Sequence, residues 1–188
     1  SVLDFTTNGV KLNDTKVPVI SAVASNAFTV DNGSLLLSFS EGVYGSYSGG
    51  TASGGLSQDS FIITGVTGGL SVASFVVKKS DGSTTLSGGE TQVSLFFTGL
   101  GVAAGTEMMS IKVKGDSIYD ASGNSIAGDS VLDFTTNGVK LNDTKVPTFA
   151  TVGAGLDGTK PYPAVDMVTG SSLELKIKIN EDGTAYYV

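Results

Sequence analysis

Two short polar stretches carry the oxygen-bearing side chains on which a metal site could be built. The sequence LNDTKVP occurs at residues 12–18 and again at 141–147. Amide, carboxylate and hydroxyl oxygens are the ligands that hard cations such as Ca²⁺ prefer. The candidate ligands are Asn13, Asp14 and Thr15 in the first copy, and Asn142, Asp143 and Thr144 in the second. The pattern would allow a Ca²⁺ site that stiffens an inter-domain linker. Because few acids cluster in each copy, it favours the alternative, in which Asp14 and Asp143 only cap a turn before the proline.

A second candidate for calcium lies in the sequence DASGN at residues 120–124. Asp120, Ser122 and Asn124 stand at alternate positions, as ligands do in a calcium-binding loop. The later glycine and the bidentate glutamate of such a loop are missing. The sequence therefore favours an Asx-type turn here, with Asp120 and Asn124 as the weaker metal candidates.

Catalytic chemistry finds little support in the residue types. The chain has no histidine and no cysteine, which excludes thiolate chemistry, Ser-His catalysis and the usual zinc ligands. A paired-carboxylate mechanism would need two acids held close together with one pKa raised. Glu41 and Glu90 flank predicted strands, but nothing in their spacing pairs them. We expect no catalytic residues, no required cofactor and no enzymatic activity.

Composition narrows the choice of partners. The formal net charge is −7, and Lys78-Lys79 is the one basic doublet in the sequence. Phosphate neutralisation needs clustered basic side chains, so nucleic acid is disfavoured, and an anionic membrane surface is disfavoured for the same reason. No apolar run is long enough to cross a bilayer. A hydrophobic content of 40% predicts a folded globular protein.

The hydrophobic pattern predicts an all-β fold. Apolar residues alternate with polar ones with a period of two, which is typical of half-buried strands. Turn signals such as Asp31-Asn32-Gly33 and Asp81-Gly82 separate these runs. The alternating sets are Leu35, Leu37 and Phe39; Val93, Leu95 and Phe97; Ile111 and Val113; and Leu173, Leu175, Ile177 and Ile179. Short strands with frequent turns predict β-sandwich architecture.

An unbroken duplication frames the central part of the chain. Residues 1–18 recur unchanged at 130–147, whereas the residues that follow each copy differ. Within each copy Leu3 and Phe5, or Leu132 and Phe134, alternate around an aspartate as in a strand. We interpret the stretch as the closing strand and exit linker of one module in a tandem array. A cloning artefact, or a donor strand supplied in trans by residues 1–12, remains an alternative.

Three ordered motifs resemble a known family. The sequences SLLLSFSEGV (34–43), YDASGNSIAG (119–128) and LDFTTNG (132–138) resemble the bacterial Ig-like domains of S-layer proteins and surface adhesins, over about residues 17–138. Gly42 departs from the family, which usually has proline there, and a Gly/Ser-rich insertion at 44–60 is expected to form a long mobile loop. The resemblance implies an extracellular location on a bacterial surface. It also implies that the carboxylate in an Asp-Thr-x-x-Pro linker helps to bind inter-domain Ca²⁺.

The domain organisation follows from the duplication and the resemblance. Residues 1–12 are interpreted as the last strand of a preceding repeat or as a donor strand, and residues 13–142 as an Ig-like β-sandwich. A linker at 143–147 then leads to residues 148–188, which resemble the second and third strands of an incomplete fibronectin type III-like module.

These interpretations favour a structural role. We expect a non-catalytic repeat of a surface protein, stalk or filament that acts as a rigid spacer. Its partners would be neighbouring repeats or copies of itself, with strand donation from residues 1–12 as one mode of contact. The alternative is an adhesin or carbohydrate-binding module that uses exposed Tyr44 and Tyr47 in the 44–60 loop to bind a glycan. A domain appended to a secreted hydrolase is a third reading.

Overall fold

The computed structural model describes residues 13–21, 28–83, 85–128, 138–148, 164–168, 170–171, 173–177 and 179. The chain divides into two compact units, Ser1–Thr144 and Lys145–Val188, which are described separately. The regular elements of the described residues are strands and one short 3₁₀ helix. The prediction of an all-β fold is therefore confirmed.

The first unit contains two antiparallel sheets and a hairpin. Its strands are β1 (Ile20–Ser21), β2 (Ser34–Val43), β3 (Ser46–Ser48), β4 (Thr51–Ser53), β5 (Phe61–Val66), β6 (Ser74–Lys78), β7 (Glu90–Thr98), β8 (Met108–Val113) and β9 (Val139–Lys140). One sheet has the order β1-β2-β7-β6 and the other has the order β5-β8-β9. Among the described strands, β3 and β4 pair with each other and with no third strand. The 3₁₀ helix, Gln58–Ser60, leads directly into β5.

One hydrophobic core joins the two sheets. The inward residues of β2 and β7 are fully buried, and they belong to the same cluster as the inward residues of β8. These residues are Leu35, Leu37, Val93, Leu95, Met109, Ile111 and Val113. Their alternation with more exposed neighbours along each strand is the period of two seen in the sequence. Two sheets that share one core give a sandwich-like architecture.

The Gly/Ser-rich segment at 44–60 contains a hairpin and the 3₁₀ helix, so the expectation that it forms one long loop is wrong. Strands β3 and β4 pair in register from Ser46↔Ser53 to Ser48↔Thr51. Gly49 and Gly50 both have positive φ, which lets the chain reverse between the strands in the tight turn that favours hairpins. Small, flexible residues here permit the reversal.

Gly42, where the family that the sequence resembles usually has proline, sits against another stretch of backbone. A Cβ atom at this position would lie 2.8 Å from the carbonyl oxygen of Gly89. Glycine therefore allows the end of β2 to approach the turn before β7 closely.

The second copy of the duplicated sequence completes the first unit. Strand β9 pairs with β8 through Met109↔Val139 and Met108↔Lys140, and Leu141 is buried in the core. Residues up to Thr144 remain hydrogen-bonded to this unit, so the chain leaves it at Lys145 and not at the expected position 143. Leu132 and Phe134 lie outside the described residues.

The first copy leads into the same unit through its proline. Pro18 is buried, and Val19 exchanges hydrogen bonds with Ser40 of β2. Strand β1 then pairs with β2 through Ile20↔Phe39. Residues 1–12, which are predicted to be a strand, lie outside the described residues.

The second unit contains an antiparallel pair of strands. Strand β10 (Ala164–Val168) pairs with β11 (Leu173–Lys176), with Val165 opposite Leu175. The predicted strand at 173–179 is thus present over its first four residues, and Ile177 beyond it is 42% exposed. The resemblance of 148–188 to a fibronectin type III-like module stays a prediction.

Candidate functional site

Three carboxylates converge where the first linker copy meets the first unit. One carboxylate oxygen each of Asp14, Glu41 and Asp120 lies within 4.8 Å of the others. Asp14 belongs to the linker, Glu41 to the far part of β2, and Asp120 to the DASGN turn. The structure therefore brings together two predicted metal candidates from separate motifs and adds Glu41, which the sequence did not assign to a metal. We call these three residues the carboxylate cluster.

Asp120 is the fixed member of the cluster. Its side chain is 1% exposed, and its Oδ1 accepts hydrogen bonds from the amides of Ser122 and Asn124, both at 2.8 Å. Its Oδ2 accepts a bond of 2.7 Å from Nδ2 of Asn124. Burial raises the pKa of Asp120, but these hydrogen bonds, with a contribution from Gly123, outweigh burial and hold the pKa below its ordinary value. Asp120 is thus an ionised carboxylate in the expected Asx-type turn.

The pKa of Glu41 is shifted in the opposite direction, above its ordinary value. Desolvation raises its pKa most, and the negative charges of Asp120 and Asp14 raise it further, while Lys16 opposes them. Like charges this close disfavour simultaneous ionisation. A bound proton or a hard cation would relieve the repulsion, and oxygen ligands of this kind suit Ca²⁺.

Asp14 and Asn124 hold the linker against the DASGN turn. Oδ1 of Asp14 accepts the amide hydrogen of Lys16 at 3.0 Å, which is the turn cap that the sequence offered as the alternative to calcium. Nδ2 of Asn124 donates to the backbone oxygen of Asp14 at 3.1 Å, as well as to Asp120. Asn124 therefore directs an amide nitrogen at both aspartates and acts as a positioning residue instead of the predicted oxygen ligand.

The second linker copy makes a different set of contacts. The amide of Asn142 donates to Oδ1 of Asn32, and Nδ2 of Asn32 donates back to the carbonyl of Asn142, both at 2.8 Å. Nδ2 of Asn142 also donates to the carbonyl of Thr29 at 2.9 Å. Asp143 forms an antiparallel bridge with Ala104, and its side chain is exposed.

Thr144 ends these second-copy contacts. Its amide donates to the carbonyl of Ala103 at 2.8 Å, and its Oγ1 accepts the amide of Ala103 at 2.9 Å. The predicted ligands Asn142 and Asp143 thus lie in a docked strand, outside the carboxylate cluster, and Asn13 in the first copy is exposed.

The two linker copies attach near opposite ends of β2. Asn32, which holds the second copy, precedes the strand, and Glu41, beside the first copy, lies nine residues further along. A strand rises about 3.3 Å per residue, so the two attachment points are about 30 Å apart along the strand direction. The duplicated sequence therefore marks both ends of the module.

The two predicted binding tyrosines pack within the first unit. Tyr44 and Tyr47 are half-buried, which corrects the expectation that they are exposed. The ring of Tyr47 stacks on Tyr119 with centroids 6.2 Å apart, and a Cβ added at Gly123 would lie 2.5 Å from the Tyr47 ring. Tyr44 lies against the turn before β7, so close that a Cβ added at Gly88 would meet its ring at 2.6 Å.

An open groove of about 660 Å³ lies beside the edge strands β5 and β6. Phe75 is its aromatic residue, and neither Tyr44 nor Tyr47 contributes to it. Its lining also includes the apolar side chains of Ile63, Val66, Leu70 and Val72. The groove is thus separate from Tyr44 and Tyr47, although Gln58 and Asp59 of the 44–60 segment line it.

Glu90, the other acid considered for catalysis, is engaged in a turn. Its carboxylate accepts the amides of Ser87 at 2.8 Å and Gly88 at 2.9 Å, and the hydroxyl of Ser87 at 3.2 Å. Burial raises its pKa, but these bonds outweigh burial and lower the pKa below its ordinary value. A raised pKa, which a general acid needs, belongs to Glu41 instead.

In the part of the chain that the structure describes, no helix combines the length and the apolar character needed to cross a membrane. Comparisons with family models, with curated proteins and with solved structures found no match, so the resemblance to bacterial Ig-like domains stays a prediction.

Proposed function

We propose that the first unit is a non-catalytic structural repeat that acts as a rigid spacer in a stalk, filament or other bacterial surface protein. The observation that carries this proposal is the attachment of two identical linker sequences near opposite ends of β2. A module with this arrangement extends an array by about 30 Å along the strand direction.

The build of the unit supports a load-bearing role. Strand β2 runs the length of the module, and it is hydrogen-bonded to β1 on one side and to β7 on the other. The first linker copy leads into β1, and the second continues from β9. Tension applied through the linkers would therefore act on paired strands whose inward side chains share one core.

The resemblance of residues 17–138 to bacterial Ig-like domains supports an extracellular location. Low charge density, 15% of residues, also suits a surface that packs against copies of itself. Antibodies raised against this chain should label intact cells of the source organism, and labelling only after lysis would overturn the location.

Single-molecule force spectroscopy tests the spacer role. The full chain is tethered by its two termini and extended. Residues 18–144 should unfold in one event that releases about 400 Å of chain, given about 3.5 Å per extended residue. Smooth extension without a resolved event would show that the unit does not resist tension, and the spacer role would be wrong.

The alternative function is glycan binding by an adhesin-type module. The packing of Tyr44 and Tyr47 within the unit gives this alternative less support than the spacer role has. A broad glycan panel probed with the full chain tests it. Binding that is lost in a folded Tyr44→Ala/Tyr47→Ala variant would favour the adhesin, and no binding would count against it.

A further inference from the structure

The six residues Asn-Asp-Thr-Lys-Val-Pro occur in two settings and make different contacts in each. In the second copy, Asn142 and Thr144 dock onto the unit that the chain is leaving, through Asn32, Thr29 and Ala103. We call these the exit contacts. Both side chains are half-buried there.

In the first copy the same sequence docks onto the unit that the chain is about to form. Asp14 joins the carboxylate cluster, and its backbone oxygen accepts a hydrogen bond from Asn124. Pro18 is buried, and Val19 bonds to Ser40. We call these the lead-in contacts.

The two sets use different atoms of the linker. The exit contacts take the side chains of the Asn and Thr positions, together with main-chain groups of those residues and the strand bridge at Asp143. The lead-in contacts take the carboxylate and carbonyl of the Asp position and the residues from Lys16 onward. Asn13 and Thr15 are exposed in the first copy, and Asp143 and Pro147 are exposed in the second.

Strand geometry explains the division. Successive side chains of an extended backbone point to opposite sides, so Asn and Thr face one way and the intervening Asp faces the other. Asp143 takes part in a strand bridge, which requires such an extended backbone.

We propose that, between two consecutive copies of this module, the linker makes both sets of contacts at once. The Asn and Thr side chains hold the module that ends, and the backbone oxygen of the Asp position and the proline hold the module that begins. The end of the module that carries the carboxylate cluster therefore binds the end of a second copy that makes the exit contacts. No residue of the linker is left without a contact to one module or the other. This inference rests on the proposed role as a tandem spacer.

Spin-label distance measurements on a tandem protein test the inference. Residues 19–147 are inserted once more after Pro147 of the full chain, so that the linker joins two complete modules. The chain has no native cysteine, so one label at Val30→Cys in the first module and one at Val76→Cys in the inserted module report a single distance. Both sites are exposed, at 88% and 47%. Measurements in EDTA exclude a metal contribution.

We expect a narrow distance distribution for the tandem protein. Inserting Gly-Ser after Thr144 retains the exit contacts but separates them from the lead-in contacts by two residues. Because Gly-Ser segments behave as flexible coils, the width of the distance distribution should increase about twofold or more. Asp143→Ala at the junction should broaden it too, because in the lead-in contacts this carboxylate caps the linker turn by accepting the amide hydrogen of the lysine two residues later. Asn13→Ala/Thr15→Ala, which alters the first copy only, should leave it unchanged.

A distance distribution of the tandem protein that is as broad as that of its Gly-Ser variant would overturn the inference. So would a narrow distribution that persists in both the Gly-Ser and Asp143→Ala variants. The force experiment tests the spacer role separately. If the modules resist tension but the spin-label distance is broad, the spacer role stands and the inference about the junction is wrong. If the modules unfold without resistance, the spacer role is wrong, even where the spin-label distance distribution is narrow.

Discussion

Charge at the carboxylate cluster depends on residues that are far apart in the sequence. Asp120 is held ionised by its own turn, Asp14 arrives with the linker, and Glu41 lies between them with a raised pKa. The sequence identified Asp14 and Asp120 as oxygen ligands in two separate motifs. It missed Glu41 because that residue lies within a strand, β2, and has no local ligand pattern, and only the fold brings it to the other two.

Calcium should stabilise the first unit through this cluster. We expect the melting temperature of the full chain to rise when millimolar CaCl₂ replaces EDTA, because a bound ion that favours the folded state adds to its stability by mass action. Asp14→Asn should reduce this rise strongly while its side-chain oxygen still caps the turn at Lys16. Differential scanning calorimetry provides the measurement.

The duplicated sequence supplies a matched control for the calcium experiment. Asp143→Asn makes the same change in the same local sequence, at a residue outside the cluster. It should retain the full calcium response. Equal responses in the wild-type chain and in both variants would place calcium elsewhere, and no response in any of them would contradict the calcium site.

The cluster also predicts an unusual pH dependence. The folded-state pKa of Glu41 is raised, so its ionised form opposes folding near pH 7, and this penalty is lost as the pH falls through the raised pKa. In EDTA, Glu41→Gln should therefore raise the melting temperature at pH 7, by about 1–3 °C for a largely screened charge. The gain should vanish below about pH 4, where Glu41 is protonated in both states.

Glu90→Gln is the control with the opposite sign. The folded-state pKa of Glu90 is lowered, so its carboxylate stabilises the fold above the unfolded-state pKa, and this contribution is lost as the pH falls through the folded-state value. Glu90→Gln should thus lower the melting temperature at pH 7. A Glu41→Gln variant that is destabilised at pH 7 would contradict the repulsion described for the cluster.

At the scale of elements, the docking of the second linker copy depends on one residue in a turn. Asn32 is 1% exposed, has φ of 57°, and exchanges two hydrogen bonds with the backbone of Asn142. Asparagine tolerates this left-handed conformation better than most residues, and its amide matches both a donor and an acceptor. One side chain therefore sets the turn before β2 and fastens the segment after β9.

Substitutions of Asn32 should separate these two roles. Asn32→Gly keeps the backbone conformation and loses both side-chain hydrogen bonds, at a cost of about 1–2 kcal/mol in the free energy of unfolding. Asn32→Ala adds the left-handed strain, for a total of about 2–3 kcal/mol. Urea unfolding measures both variants. An Asn32→Ala cost equal to or below that of Asn32→Gly would show that the backbone conformation is not the constraint.

The strands could be predicted from the sequence more fully than the hairpin. The buried face of β2 and β7 is visible in the local sequence, because apolar residues recur there at every second position. These residues include Leu35, Leu37 and their partners on β7. The hairpin at 46–53 has a single half-buried residue in each strand, Tyr47 and Ala52, which is too few to show an alternation in the sequence. Tyr47 also stacks on Tyr119, a contact between residues distant in sequence that composition does not reveal.

At the scale of the whole molecule, the duplication itself predicted a module boundary. The sequence placed the seam within residues 130–147, and the structure separates the units at Thr144. What the sequence did not indicate was how Asn142, the last residue of the predicted sandwich, and Thr144, in the predicted linker, are held to the module. Their docking depends on Asn32 and Ala103, which are adjacent to them only after folding.

The edge position of β9 has a consequence for refolding. The sequence of β9 and its flanking residues, 138–144, occurs a second time at residues 9–15. The free edge of β8 therefore cannot distinguish residues 138–144 of its own chain from residues 9–15 of another molecule. Refolding from urea at high protein concentration should yield domain-swapped multimers, while dilute refolding yields monomers. Size-exclusion chromatography would resolve the two, and a product distribution independent of concentration would show that the cis copy always docks first.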